Sequence, residues 1–131
     1  LEWAESIGGS EALIARVDAS FAHVRAWVAG TPHFAFLARD PATISPTALC
    51  LVVSDPWFTN LESAVQADLV KQMLALLAEE GVALDINAYR DAPVGIRIWG
   101  GPTVDPEDIE RLLPWIDWAY ETIRAAHRQA A

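Results

Sequence analysis

Residues 105–123 carry the pattern that most restricts what this chain can become. Ile109, Leu112, Leu113, Ile116, Tyr120 and Ile123 recur at intervals of three and four residues, the spacing that lines one face of an α-helix. Asp105 stands before the run as an N-cap, and Pro106 falls in the first turn, where a missing N–H leaves nothing unpaired. Glu107 and Asp108 favour the positive end of the helix dipole. A helix with a single apolar stripe has to bury it, so the remaining chain must supply a facing surface. Pro114 lies inside the pattern and is expected to kink the helix. At about 100° per residue Trp118 points roughly opposite the stripe and Trp115 lies on its flank, which leaves Trp118 exposed in a lone domain.

Two further helices precede this one. Leu13, Ile14, Val17, Phe21, Val24 and Val28 form a stripe at near-heptad spacing, with Ser10 read as the N-cap and Gly8-Gly9 separating a shorter helical stretch that starts at Leu1. A second stripe, Leu61, Val65, Leu69, Met73 and Leu76, predicts a helix over 60–80 that ends at Gly81. Between the helices lie short apolar runs. Residues 34–38 and 47–53 predict one pair of strands, the latter nearly all apolar as in a central strand covered on one face by helices. Residues 82–86 and 95–99 predict another pair, joined by a loop over 87–94. The order helix, two strands, helix, two strands, helix gives an α+β two-layer sandwich with a mostly antiparallel sheet, and residues 1–131 form a single domain. Repeats, linkers and low-complexity tracts are absent from the sequence.

Composition narrows the partners. A formal net charge of -9 excludes a nucleic-acid binder, which needs clustered Lys and Arg to offset the acids. No apolar run approaches the roughly 18 residues of a membrane span, and the first residues have neither the basic start nor the apolar core of a signal peptide. With one cysteine, Cys50, no internal disulfide can form, and a cytoplasmic location is the expectation. Six tryptophans and a 53% apolar fraction imply more apolar surface than so small an interior uses, part of it suited to an interface.

Against this acidic background Arg90 and Arg97 fall within one loop-and-strand unit. A guanidinium presents a planar fork of donors that matches a carboxylate or phosphate, so two forks close together suit a doubly anionic small ligand. The same spacing allows structural ion pairs with Asp85, Asp91 or Asp105, and both readings stay open. In residues 95–99 strand alternation sends Ile96 and Ile98 to one face and Arg97 and Trp99 to the other. An acidic protein repels an approaching anion, so an anion site here has to be local and completed by groups outside this chain.

Residues 85–101 (DINAYRDAPVGIRIWGG), followed by 113–119 (LPWIDWA), resemble the C-terminal end of a bacterial phosphoserine aminotransferase, a fold-type I enzyme dependent on pyridoxal phosphate. Residues 3–16 (WAESIGGSEALIAR) and 36–45 (FLARDPATIS) are similar to the helix and first strand of that enzyme's small domain. The resemblance covers the whole chain but only about the last third of the family's chain. It implies a cut near Leu1 and a large domain, absent here, that binds pyridoxal phosphate and supplies the Schiff-base lysine. It further implies a homodimer that moves an amino group between glutamate and 3-phosphohydroxypyruvate to give phosphoserine and 2-oxoglutarate. Within the family's pattern, Gly-Ile-Arg assigns Arg97 to the substrate α-carboxylate, and Arg90 matches an arginine that helps hold the substrate phosphate. Tyr89 stands where the family often has histidine. Ile44, before Ser45, replaces an arginine of the family pattern.

The other residues carry little chemistry. Lys71, the only lysine, is expected to be a solvated surface residue, so this fragment alone is expected to hold no cofactor and to be inactive. His23, His33, His127 and Cys50 have no metal-ligand spacing, and no catalytic residue is assigned. The calcium-loop likeness of 85–90 fails at Tyr89 and Arg90. Two functions are weighed: the small domain of a phosphoserine aminotransferase, or a non-catalytic α+β module that binds a small dicarboxylate or a protein partner through its tryptophan surface.

Overall fold

The structure is a computed structural model, and it describes residues 1–130. In chain order it comprises α1 (Glu2–Ser6), α2 (Gly9–Gly30), β1 (Phe34–Phe36), a 3-10 turn (Pro41–Thr43), β2 (Ala48–Val53), α3 (Pro56–Thr59), α4 (Ser63–Glu79), β3 (Ile96–Trp99) and α5 (Pro106–Ala130). The three strands form one antiparallel sheet in the order β1-β2-β3, with β2 at the centre as its apolar run predicts. Register pairs Phe34 with Val53, and Cys50 with Arg97.

Alternation along β2 buries Leu49, Leu51 and Val53 and leaves Ala48, Cys50 and Val52 half-buried. Ile96 and Ile98 join the buried face from β3, where they meet Val24 of α2, Met73 and Leu77 of α4, and Ile116 and Tyr120 of α5 in one core. All six residues of the predicted α5 stripe are buried. Asp105 Oδ1 accepts the Glu107 amide at 3.2 Å, the capping role its position implies. Helix α5 packs against both α2 and α4. Two side-chain bonds clamp the end of α2 to it: Trp27 Nε1 donates to Asp117 Oδ2 at 2.7 Å and Thr31 Oγ1 to Asp117 Oδ1 at 3.0 Å. The α+β architecture is therefore that of the sequence reading, with helices on one face of an antiparallel sheet.

Four details differ from it. Residues 82–86 are not a strand. Leu84 is 82% exposed, and only Ile86 is buried, so the segment leaves the Gly81 cap as a loop and reaches β3 at its end alone. There Ile86 O accepts the Arg97 amide at 2.9 Å, and Asn87 bridges Ile96. The predicted 60–80 helix forms as one element, α4, but starts later, at Ser63, and a separate turn not foreseen in the sequence, α3, is capped by Asp55 and ends at Thr59 before it. Gly81 does end α4, with φ at 69° and its amide bonded to Ala78 O. Ser10 is not the N-cap of α2; Gly8 is, at φ 114°, a backbone that favours glycine. Ile14, on the rim of the α2 stripe, is 61% exposed.

Candidate functional site

The outer face of the sheet carries the residues singled out by their chemistry. Period-2 alternation in β3 turns Arg97 and Trp99 away from the core, and the backbone of Arg97 is held on both sides, by Ile86 O and by pairing with Cys50. Its immediate chain neighbourhood has no slack. A Cβ on Gly95 would collide with the carbonyl oxygen of Leu51, so β3 can enter the sheet only through a glycine. The Trp99 indole lies flush against Gly101, where any side chain would strike the ring.

The Arg97 guanidinium stacks on the ring of Tyr89, with Cζ 4.6 Å from the ring centroid. Tyr89 opens a turn closed by the Ala92 amide bonding to its carbonyl at 3.0 Å, and Arg90 and Asp91 form the exposed tip. The structure brings Tyr89 and Arg97 together and leaves Arg90 projecting from the turn. Among the described residues neither arginine makes an ion pair with Asp85, Asp91 or Asp105. The structural ion pairs that the spacing allowed do not form. Arg97 Nε is buried and has no acceptor. Beside Cys50, on the side away from Arg97, an open apolar hollow of about 240 Å³ is lined by Phe36, Ile44, Ser45 and Ala48 among others. Ile44 thus makes this flank of the sheet face apolar, while the Ser45 hydroxyl accepts the Ala48 amide at 3.1 Å and starts β2.

A second polar cluster escaped the sequence reading. Asp55 caps α3 by accepting the Trp57 amide on Oδ1 at 2.9 Å, and its Oδ2 accepts the Tyr120 hydroxyl at 2.8 Å. Arg124 Nε lies 3.4 Å and His33 Nδ1 3.7 Å from the same oxygen. His33 Nε2 meets Glu121 Oε1 at 2.6 Å. Burial opposes the charge on Asp55, but the Tyr120 hydroxyl, the Trp57 amide, Arg124 and His33 outweigh it and hold the carboxyl below its ordinary pKa. Burial and the neighbouring carboxylate drive the Tyr120 phenol well above its own. Each group is thereby locked in one protonation state near neutrality, which suits a structural clamp and not proton transfer. Asp55-Pro56 as a cap and Tyr120 with Arg124 one turn apart were the signals available in sequence; nothing linked them to His33.

Lys71 is exposed on α4, beside Leu84 and Asn87. Among the described residues no group of three or more His, Cys, Asp or Glu side chains converges as a metal site. None of the described helices is long and apolar enough to cross a membrane. No protein-family model matches the chain.

Known proteins nevertheless align over nearly its full length. A phosphoserine aminotransferase of Methanosarcina mazei is 39% identical over 124 residues, which is 95% of this chain and 31% of the relative. The chain is a relative of the phosphoserine aminotransferases. The enzyme of that name from Methanosarcina barkeri aligns equally well, and one from Nocardioides sp. is 30% identical over 122 residues, 92% of this chain and 29% of the relative. The chain spans about a third of the length of these phosphoserine aminotransferases.

Proposed function

We propose that this chain is the C-terminal small domain of a phosphoserine aminotransferase, and that its outer sheet face binds the anionic groups of the substrates. The observation that carries the reading is Arg97: a guanidinium projecting from a strand held on both edges, with no acid among the described residues to neutralise it. A substrate carboxylate would complete that site by accepting two parallel N–H bonds. In this reading Arg97 holds the α-carboxylate common to glutamate and phosphoserine. Arg90, on the projecting turn, helps hold the phosphate, with Tyr89 in the position the family gives to histidine.

In this reading pyridoxal phosphate is held by the large domain and not by this chain. Its single lysine, Lys71, is exposed on α4, without the buried pocket a Schiff base requires. In the intact enzyme the cofactor supplies an electron sink for amino transfer, and the groups that hold it lie outside this chain. The contribution here is to orient. A carboxylate fixed at Arg97 and a phosphate at Arg90 would set the substrate's reactive carbon at one place and angle. The exposed Trp115 and Trp118, packed edge to face with centroids 5.4 Å apart, favour contact with another surface, either the large domain or the second subunit of a homodimer.

The test is amino transfer from glutamate to 3-phosphohydroxypyruvate by the protein expressed from its complete reading frame. Formation of 2-oxoglutarate and phosphoserine that is lost with Arg97→Ala is the expected result. A reading frame without a lysine-bearing large domain, or a full-length protein inert with this substrate pair, would exclude the proposal in favour of a non-catalytic binding module.

A further inference from the structure

We propose that Tyr89 is a positioning residue for the Arg97 anion site, acting through the face of its ring and not through its hydroxyl. The proposal deepens the reading above, since it rests on Arg97 as the carboxylate grip. An arginine side chain has four rotatable bonds, so a fixed backbone does not by itself fix the guanidinium. Most buried or half-buried arginines are held by an acid, but an acid would occupy the donors that a ligand needs. Among the described residues Arg97 pairs with no acid; it has the Tyr89 ring at 4.6 Å. Attraction between a guanidinium and an aromatic face restrains the group through its flat side and leaves the in-plane N–H donors free. One of them, the buried Nε, has no acceptor among the described residues.

The geometry also bears on ligand class. With one flat side covered by the ring, a bound group approaches in the guanidinium plane, where the two oxygens of a planar carboxylate match the fork. Tyr89 itself has little structural work in the fold. It is 60% exposed, and among the described residues its hydroxyl makes no hydrogen bond. The 89–92 turn is closed by main-chain bonding, so replacing the side chain leaves the turn its hydrogen bond.

The experiment measures 2-oxoglutarate binding to the full-length protein by calorimetry for wild type, Tyr89→Phe and Tyr89→Leu, with amino transfer followed in parallel. Tyr89→Phe keeps the ring and should bind within about twofold of wild type, whereas Tyr89→Leu should bind about fivefold or more weakly. Both variants should melt as the wild type does. Equal weakening in the two variants would assign the effect to the hydroxyl, and unchanged binding in Tyr89→Leu would remove the role; either overturns the proposal. A wild-type protein that binds no 2-oxoglutarate overturns it as well. Loss of amino transfer as an activity, with carboxylate binding and its Tyr89 dependence intact, would instead remove the functional reading and leave this proposal standing.

Discussion

The Tyr120 hydroxyl donates to Asp55 Oδ2 at 2.8 Å across 65 residues of chain, joining the end of β2 to the middle of α5 inside the core. Both partners are buried, so losing one leaves the other without a replacement from water. Tyr120→Phe should therefore cost about 1.5–3 kcal/mol in urea unfolding, the range for a hydrogen bond to a charged group. A loss within experimental error would mean that Arg124 and the Trp57 amide satisfy Asp55 alone.

The same carboxylate gives a pH dependence with a definite sign. Asp55 has a lower pKa folded than unfolded, so its contribution is fully present above the ordinary carboxylate range and is lost as pH falls through the lowered folded value. Stability should fall on the acid side, and Asp55→Asn should flatten that part of the profile. The check is chemical denaturation across the acid range for the two proteins.

For the site, Arg97→Ala in the full-length protein should weaken both amino-acid substrates by about 2 kcal/mol or more, since each carries an α-carboxylate. Arg90→Ala should impair the phosphorylated substrate far more than glutamate. Steady-state kinetics with each substrate varied separates the two, and equal losses with Arg90→Ala would show its role to be misassigned.

Gly95→Ala tests the entry of β3 into the sheet. The added methyl meets main-chain oxygen of Leu51, which cannot rotate away as a side chain would. Destabilisation of about 1–3 kcal/mol, with weakened carboxylate binding two residues on at Arg97, is expected. Thermal melting alongside calorimetry with 2-oxoglutarate checks it.

Trp118 is 41% exposed, as the α5 phase requires, and its ring meets Trp115 on the same outward side. The isolated chain should self-associate through this pair as concentration rises. Trp118→Ala should reduce association in sedimentation while changing stability by no more than about 0.5 kcal/mol. Ile116→Ala, in the fully buried face, should cost about 2–5 kcal/mol.

Local periodicity settled much of this protein from sequence. The α5 stripe and the outward side of Arg97 follow from a 3.6-residue and a two-residue repeat, and the central place of β2 from its nearly unbroken apolar run, none of which needs knowledge of the rest of the fold. Boundaries and pairings did not follow. Whether 82–86 becomes a strand depends on how much of the segment reaches the β3 edge, and a hydrophobic pattern cannot show that Leu84 will face solvent. Leu77, absent from the predicted stripe, is fully buried beside α5, while the predicted Leu76 packs against the core only in part, because packing against a neighbouring helix decides how α4 is rotated. The Tyr89 stack on Arg97 and the meeting of His33, Asp55 and Tyr120 belong to tertiary structure alone: each depends on a loop or helix end brought close by packing, and side-chain identity along the chain records no such distance.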